Sequence, residues 1–221
     1  MERALILGAS RGLGAELVRC VADHRFPVVG YGRKEERLKA LREKFPLFSY
    51  HVADFSKPAS QEEALRDILT QNYSKIFYVA GGGPFGPYQA REWKDHEWAW
   101  QVSFQFPARL MHLLLATDKP PPQVVLVGSS VAESAPDPNA ASYCAAKHAL
   151  RGLFMTLKGD NPSWDLRLFS PGYMDTELLP QNAPVRAHGV YSPAQLAEEL
   201  WLWSLTVADD SGHKVYPTHP I

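Results

Sequence analysis

Short apolar runs alternate with longer amphipathic ones along almost the whole chain, and that alternation constrains the fold more than any other feature. The runs at Ala4 to Leu7, Pro27 to Tyr31, Leu47 to Val52, Lys75 to Val79, Gln123 to Val127 and Asp165 to Phe169, with a weaker one at Lys214 to Tyr216, have the length of buried strands. Amphipathic segments near Gly14 to His24, Lys34 to Phe45, Gln61 to Gln71, Trp93 to Thr117, Ser142 to Leu157 and Pro193 to Leu205 predict helices between them. In one of these, Ala146, Leu150, Leu153 and Leu157 form an apolar stripe at helical spacing. Strands that are apolar on both faces and separated by helices predict an α/β fold, a doubly wound parallel sheet of about seven strands covered on both sides.

The chain has 221 residues and 45% hydrophobic content, enough for one domain, residues 1–221, with a sizeable core. A net charge of -1 offers no broad attraction to nucleic acid or anionic lipid, so small molecules are the expected partners. Nothing near the N-terminus reads as a signal peptide and no segment approaches the ~20 apolar residues of a membrane span, which predicts a soluble, cytoplasmic protein. Cys20 and Cys144 read as reduced thiols without metal-ligand spacing. None of the eight histidines pairs with a carboxylate at such spacing, so no metal is expected. The run Lys119-Pro-Pro-Pro122 reads as a rigid connector, and the aperiodic stretch near 178–192, with Pro180, Pro184 and Gly189, as a short lid.

Two motifs carry chemistry. Gly8-Ala-Ser10-Arg11-Gly12-Leu13-Gly14 follows the first strand and opens the first helix, where glycines allow a tight turn and close approach of a phosphate to backbone N–H groups. Tyr143 and Lys147 lie four residues apart on one helix face, where a cation beside a phenol favours the phenolate and suits the tyrosine to proton transfer.

Together with Ser130, thirteen residues before Tyr143, and with Pro171-Gly172-Tyr-Met174-Asp-Thr176, these motifs resemble the short-chain dehydrogenase/reductase family over essentially the whole chain. The resemblance implies a single-domain Rossmann fold and an enzyme that interconverts a carbonyl and an alcohol by hydride transfer with a nicotinamide cofactor. It implies that Tyr143 exchanges the proton, that Ser130 hydrogen-bonds the reacting oxygen, and that Lys147 both stabilises the ionised tyrosine and holds the nicotinamide ribose. Pro171, Gly172, Met174 and Thr176 would shape the nicotinamide wall, and Ala80 and Gly81 would approach the adenosine ribose. Asp54 matches the acid that meets the adenine amino group, and a turn cap is its equal alternative. Arg33 ends the second strand beside Gly32, which stands where an acidic residue would hold the ribose of NAD. With Arg11 in the glycine turn it favours NADP(H) over NAD(H).

The chain departs from the family pattern at two places. Tyr78-Val-Ala80-Gly81 stands where the family has two asparagines, so the local bracing must differ. Ser103 aligns with the asparagine that holds a water of the proton relay, which makes it the candidate relay residue, with Gln105 as a substitute. The region after Thr176 is short and ends in prolines, which argues for a homodimer rather than a tetramer. Trp93, Trp98 and Trp100 are read as core residues or as an interface. The competing reading is a non-catalytic dinucleotide-binding sensor or scaffold of the same fold.

Overall fold

The computed structural model describes residues 2–117, 122–207, 209 and 211–220. Seven parallel strands form one sheet in the order β3-β2-β1-β4-β5-β6-β7: β1 (Ala4–Leu7), β2 (Val28–Gly32), β3 (Phe48–Val52), β4 (Lys75–Tyr78), β5 (Gln123–Val127), β6 (Leu166–Ser170) and β7 (His213–Val215). Every strand predicted from the sequence is present, within one or two residues. The connector at Lys119 to Pro122 lies, apart from Pro122, outside the described residues.

Side chains along the central strands alternate between two cores, as the period of two requires. Leu5 and Leu7 of β1 pack with α3 (Pro58–Thr70), α5 (Phe106–Leu115) and α6 (Ala141–Asp160). Ala4 and Ile6 pack with α1 (Gly12–Asp23), α2 (Glu35–Lys44) and α7 (Pro193–Leu205). The strand order reverses between β1 and β4, which opens a crevice beyond the carboxyl ends of these strands. Leu7 is in register with both Tyr31 and Tyr78, so the loops that follow these strands emerge side by side at that crevice.

The helix predicted at Trp93 to Thr117 is divided. A regular stretch, α4 (Trp93–Trp100), runs into a π-helical turn at Gln101–Gln105 before α5 begins. Pro107 explains the change. It cannot donate a backbone hydrogen bond and its ring crowds the carbonyl four residues back, so the preceding turn widens and Phe106 N donates to Gln101 O, five residues back.

Helices α1 and α7 are stapled together by side chains that the sequence reading treated separately. The Cys20 thiol donates to Glu198 at 2.9 Å, and His24 Nε2 lies 3.1 Å from the other oxygen of that carboxylate. These donor atoms lie within 4.8 Å of one another. Cys20 and His24 are one helical turn apart, so the spacing was present; the carboxylate that completes the cluster comes from the far end of the chain.

The aperiodic stretch near 178–192 contains a short 3-10 helix, Pro184–His188, and is fastened by Arg186, which donates to the carbonyls of Pro180 and Leu179 and to Asp175. The C-terminal residues lie over it: Tyr173 N donates to Thr218 O at 2.9 Å and the Tyr191 hydroxyl to His219 O at 3.1 Å. Among the described residues no helix is long and apolar enough to cross a membrane.

Phe106 is fully buried at the start of α5, stacked on Phe55 with ring centroids 4.2 Å apart. Phe106→Ala is expected to cost about 3–5 kcal/mol. The check is a lower denaturant midpoint with an unchanged m value.

Candidate active site

Two adjoining cavities open where β1, β4 and β5 end. The larger is a cleft with about 1170 Å³ of atom-free space, including the solvent at its mouth. Its floor is the glycine turn. Gly8 and Gly12 have φ of +104° and +54°, which disfavour side chains, and a Cβ on Gly14 would stand 2.1 Å from Gly8 O. A Cβ on Gly8 would likewise strike Ala80 N at 2.6 Å, so the glycines let β1, α1 and the β4 loop close on one another. Among the described residues no side chain caps the N-terminus of α1, which leaves its first N–H groups facing the cleft for an anion.

At one end the cleft is strongly cationic: Arg11, Arg33, Lys34 and Arg37 all line it. Arg33 lies with its guanidinium carbon 5.0 Å from the ring centre of Trp98, itself a cleft residue. The aromatic segment therefore divides its work. Trp98 faces the cleft, whereas Trp93 and Trp100 are 64% and 43% exposed and are not core residues.

At the other end stand Tyr143 and Lys147, both on α6. The Lys147 ammonium is buried and donates to Val127 O at 2.7 Å, with its nitrogen 5.6 Å from the centre of the Tyr143 ring. A Cβ on Gly81 would lie 3.1 Å from that nitrogen, so the glycine makes room for the lysine. Burial pushes the Lys147 pKa down to about 7. Burial also pushes the Tyr143 phenol up to about 12, against the opposing pull of a hydrogen bond with Ser129. The sequence reading expected the cation to favour the phenolate. In the protein without cofactor desolvation wins instead, because both charged forms are penalised in the same enclosed site. Tyr143 keeps part of its surface open to both cavities, so solvent entering them tempers the upward push.

The smaller cavity shares Tyr143, Met174, Thr176 and Leu178 with the cleft and continues into an apolar pocket lined by Phe85, Val131, Tyr173 and Leu179. Tyr173 is fixed by its hydroxyl, which donates to Asp137 at 2.6 Å. Ser129 opens into this pocket.

Most residues singled out from the sequence do meet here. Gly8, Ser10, Arg11, Gly12, Leu13, Gly14, Arg33, Ala80, Gly81, Tyr143, Lys147, Pro171, Met174 and Thr176 line the cleft, and Gly172 lines the smaller cavity. Three others are placed differently. The Ser130 hydroxyl is buried, has no hydrogen-bond partner among the described residues and lines neither cavity; Ser129, one residue earlier, holds the place beside Tyr143. Asp54 turns its carboxylate to the backbone N–H and hydroxyl of Ser56, at 3.0 and 2.7 Å, so it caps a turn while Ala53 and Phe55 face the cleft. Ser103 is fully buried on the π-helical turn, where its hydroxyl accepts from Gly82 N at 3.0 Å and donates to Gly82 O at 3.1 Å. It braces the β4 loop, where the absent asparagines left the sequence reading without a brace, and its proton is already committed. Sequence reasoning missed Ser129, Arg37 and Trp98. Ser129 was concealed by a spacing rule that its neighbour satisfied.

Comparison with known proteins agrees with this geometry. The sequence model described as short chain dehydrogenase matches residues 2–186. The chain belongs to that family. It is 30% identical over 190 residues to benzil reductase ((S)-benzoin forming) of Saccharomyces cerevisiae, covering 79% of this chain and 72% of the relative. It is 27% identical to the cyclic-di-GMP-binding biofilm dispersal mediator protein of Escherichia coli, covering 84% and 78%. An alcohol dehydrogenase from the archaeon Thermococcus sibiricus, solved with 5-hydroxy-NADP, superposes with a TM-score of 0.83 at 23% identity over 98% of this chain and 96% of that one, a likeness of fold. The protein is thus an oxidoreductase of the short-chain dehydrogenase family, acting on CH–OH and C=O groups.

The depressed Lys147 pKa has a measurable effect on stability. An unfolded lysine holds its proton to about pH 10.4, whereas the folded protein sheds it near 7, so stability lost at and below pH 7 returns as pH rises through that window. From pH 7 to 8.5 the cofactor-free wild type should gain about 1 to 2 kcal/mol relative to Lys147→Met. Parallel urea-unfolding profiles of the two proteins across that range would contradict the assignment.

Proposed function

We propose that this protein is an NADP(H)-dependent reductase of ketones, interconverting a carbonyl and an alcohol. The observation that carries the reading is the position of Tyr143 at the junction of the two cavities, with the glycine turn and cationic end on one side and the apolar pocket with Ser129 on the other. The uncapped start of α1 and the glycine cradle fit a pyrophosphate. The four cations at the far end fit a ribose 2'-phosphate, and Gly32 stands where an acid would select NAD.

When bound, the cofactor supplies the hydride. The residues do the rest. Ser129 orients the carbonyl oxygen by a hydrogen bond. Tyr143, a neutral phenol in its buried state, holds the proton that the oxygen requires as it becomes an alcohol. Lys147, fixed on Val127 O, would donate hydrogen bonds to cofactor hydroxyls and stabilise the phenolate left behind. For the substrate, the aromatic lining of Phe85 and Tyr173 and the likeness to a benzil reductase favour an aryl ketone or diketone.

A second reading, a dinucleotide-binding sensor without turnover, draws on the relative described as a cyclic-di-GMP-binding mediator and on the loss of the family asparagines. One experiment separates the two. With NADPH and a panel of aldehydes, ketones and diketones including benzil, wild-type turnover is expected. Tyr143→Phe should lower kcat/KM by about 10²–10⁴ while NADPH binding persists. Binding with no turnover that depends on Tyr143 would favour the sensor. In the same assay Ser129→Ala should lower kcat and Ser130→Ala should leave it nearly unchanged; the reverse order would restore Ser130 as the orienting hydroxyl.

A further inference from the structure

One carboxylate lines the cationic end of the cleft among the described residues, and it belongs to Glu177. It follows Thr176 on the loop after β6, whereas the cations come from the opposite wall. Its Oε1 accepts from Arg37 Nη1 at 2.8 Å and its Oε2 faces Arg11 Nη1 at 3.4 Å. Arg11 is the last residue before α1 and Arg37 lies in the first turns of α2, so a single carboxylate joins three segments across the cleft. Arg33 is turned toward Trp98, which leaves Arg11 and Arg37 as the pair that converges on one anion.

A carboxylate presents two anionic oxygens to a pair of guanidinium groups, and a phosphate monoester presents the same arrangement with more charge. We propose that Glu177 occupies the seat of the cofactor's 2'-phosphate, as a built-in competitor that only a phosphorylated dinucleotide displaces. The inference rests on the NADP(H) reading above and adds to it a determinant of specificity. NADP(H) exchanges the Glu177 carboxylate for its own phosphate on Arg11 and Arg37 and releases the loop that carries Thr176 and Leu178. NAD(H) has no group to make that exchange, so the tether stays closed. Leu178 gives the release a consequence at the reacting end, because it lines both cavities and lies close to Gly82, where an added Cβ would meet its Cδ1 at 3.1 Å.

Glu177 is exposed, with 57% of its side chain open, so its replacement by glutamine should leave the fold intact. The test is calorimetric titration of the full chain with NADPH, NADH and 2',5'-ADP, in the wild type, Glu177→Gln, Arg37→Gln and the double variant. Glu177→Gln should bind NADPH and 2',5'-ADP about three- to tenfold more tightly, from loss of the competing ion pair and of like-charge repulsion, and NADH within about twofold of wild type. Arg37→Gln should weaken NADPH, and Glu177→Gln should add much less in that background. A wild type that prefers NADPH but whose affinity is unchanged or reduced by Glu177→Gln would overturn this inference alone, as would an equal gain for NADH. A wild type with no preference for NADPH would overturn the cofactor reading and the inference with it. Equal melting temperatures of wild type and Glu177→Gln exclude a folding effect, and if they differ, the 2',5'-ADP comparison in the Arg37→Gln background decides.

Discussion

The site depends on an ammonium held out of water. Lys147 spends its charge on one carbonyl, Val127 O at the end of β5, in surroundings that push its pKa to about 7. That contact ties α6 to the edge of the crevice and fixes where Tyr143, one turn earlier, can stand. It also explains Gly81, since a side chain there would meet the lysine nitrogen. Burying a lysine costs desolvation, which the hydrogen bond to Val127 O offsets in part.

The chain reaches the family's geometry with different parts. Where two asparagines would brace the loop after β4, Ser103 bonds to both polar groups of Gly82. This works because the helix carrying the serine widens into a π turn ahead of Pro107 and lodges a short side chain fully inside the protein. A change in one loop is therefore offset by a backbone distortion in a distant helix.

The strands, the glycine turn and the Tyr143–Lys147 pair were legible because their signals are local: a run of apolar residues, a turn that only glycine permits, a spacing that places two side chains on one helix face. The finer placements needed an orientation. Adjacent serines point to opposite sides of a chain leaving a strand, so spacing could not tell Ser129 from Ser130. Asp54 was as readily a turn cap as a cofactor contact, and its Oδ1 accepts from Ser56 two residues on. Arg33 lies over Trp98, and Arg37 and Arg11 both pair with Glu177, an arrangement no motif records.

By itself the amino-acid order determined a parallel α/β sheet, a glycine turn after its first strand and a tyrosine and lysine on one helix face, since each follows from periodicity or from the conformational limits of single residues. The tertiary structure decided what surrounds them: which serine meets the phenol, which carboxylate reaches the arginines, and whether a buried tyrosine and lysine are charged. Those outcomes depend on distances between segments remote in the chain and on how much water the packed protein excludes, and neither quantity is written in any local stretch of sequence.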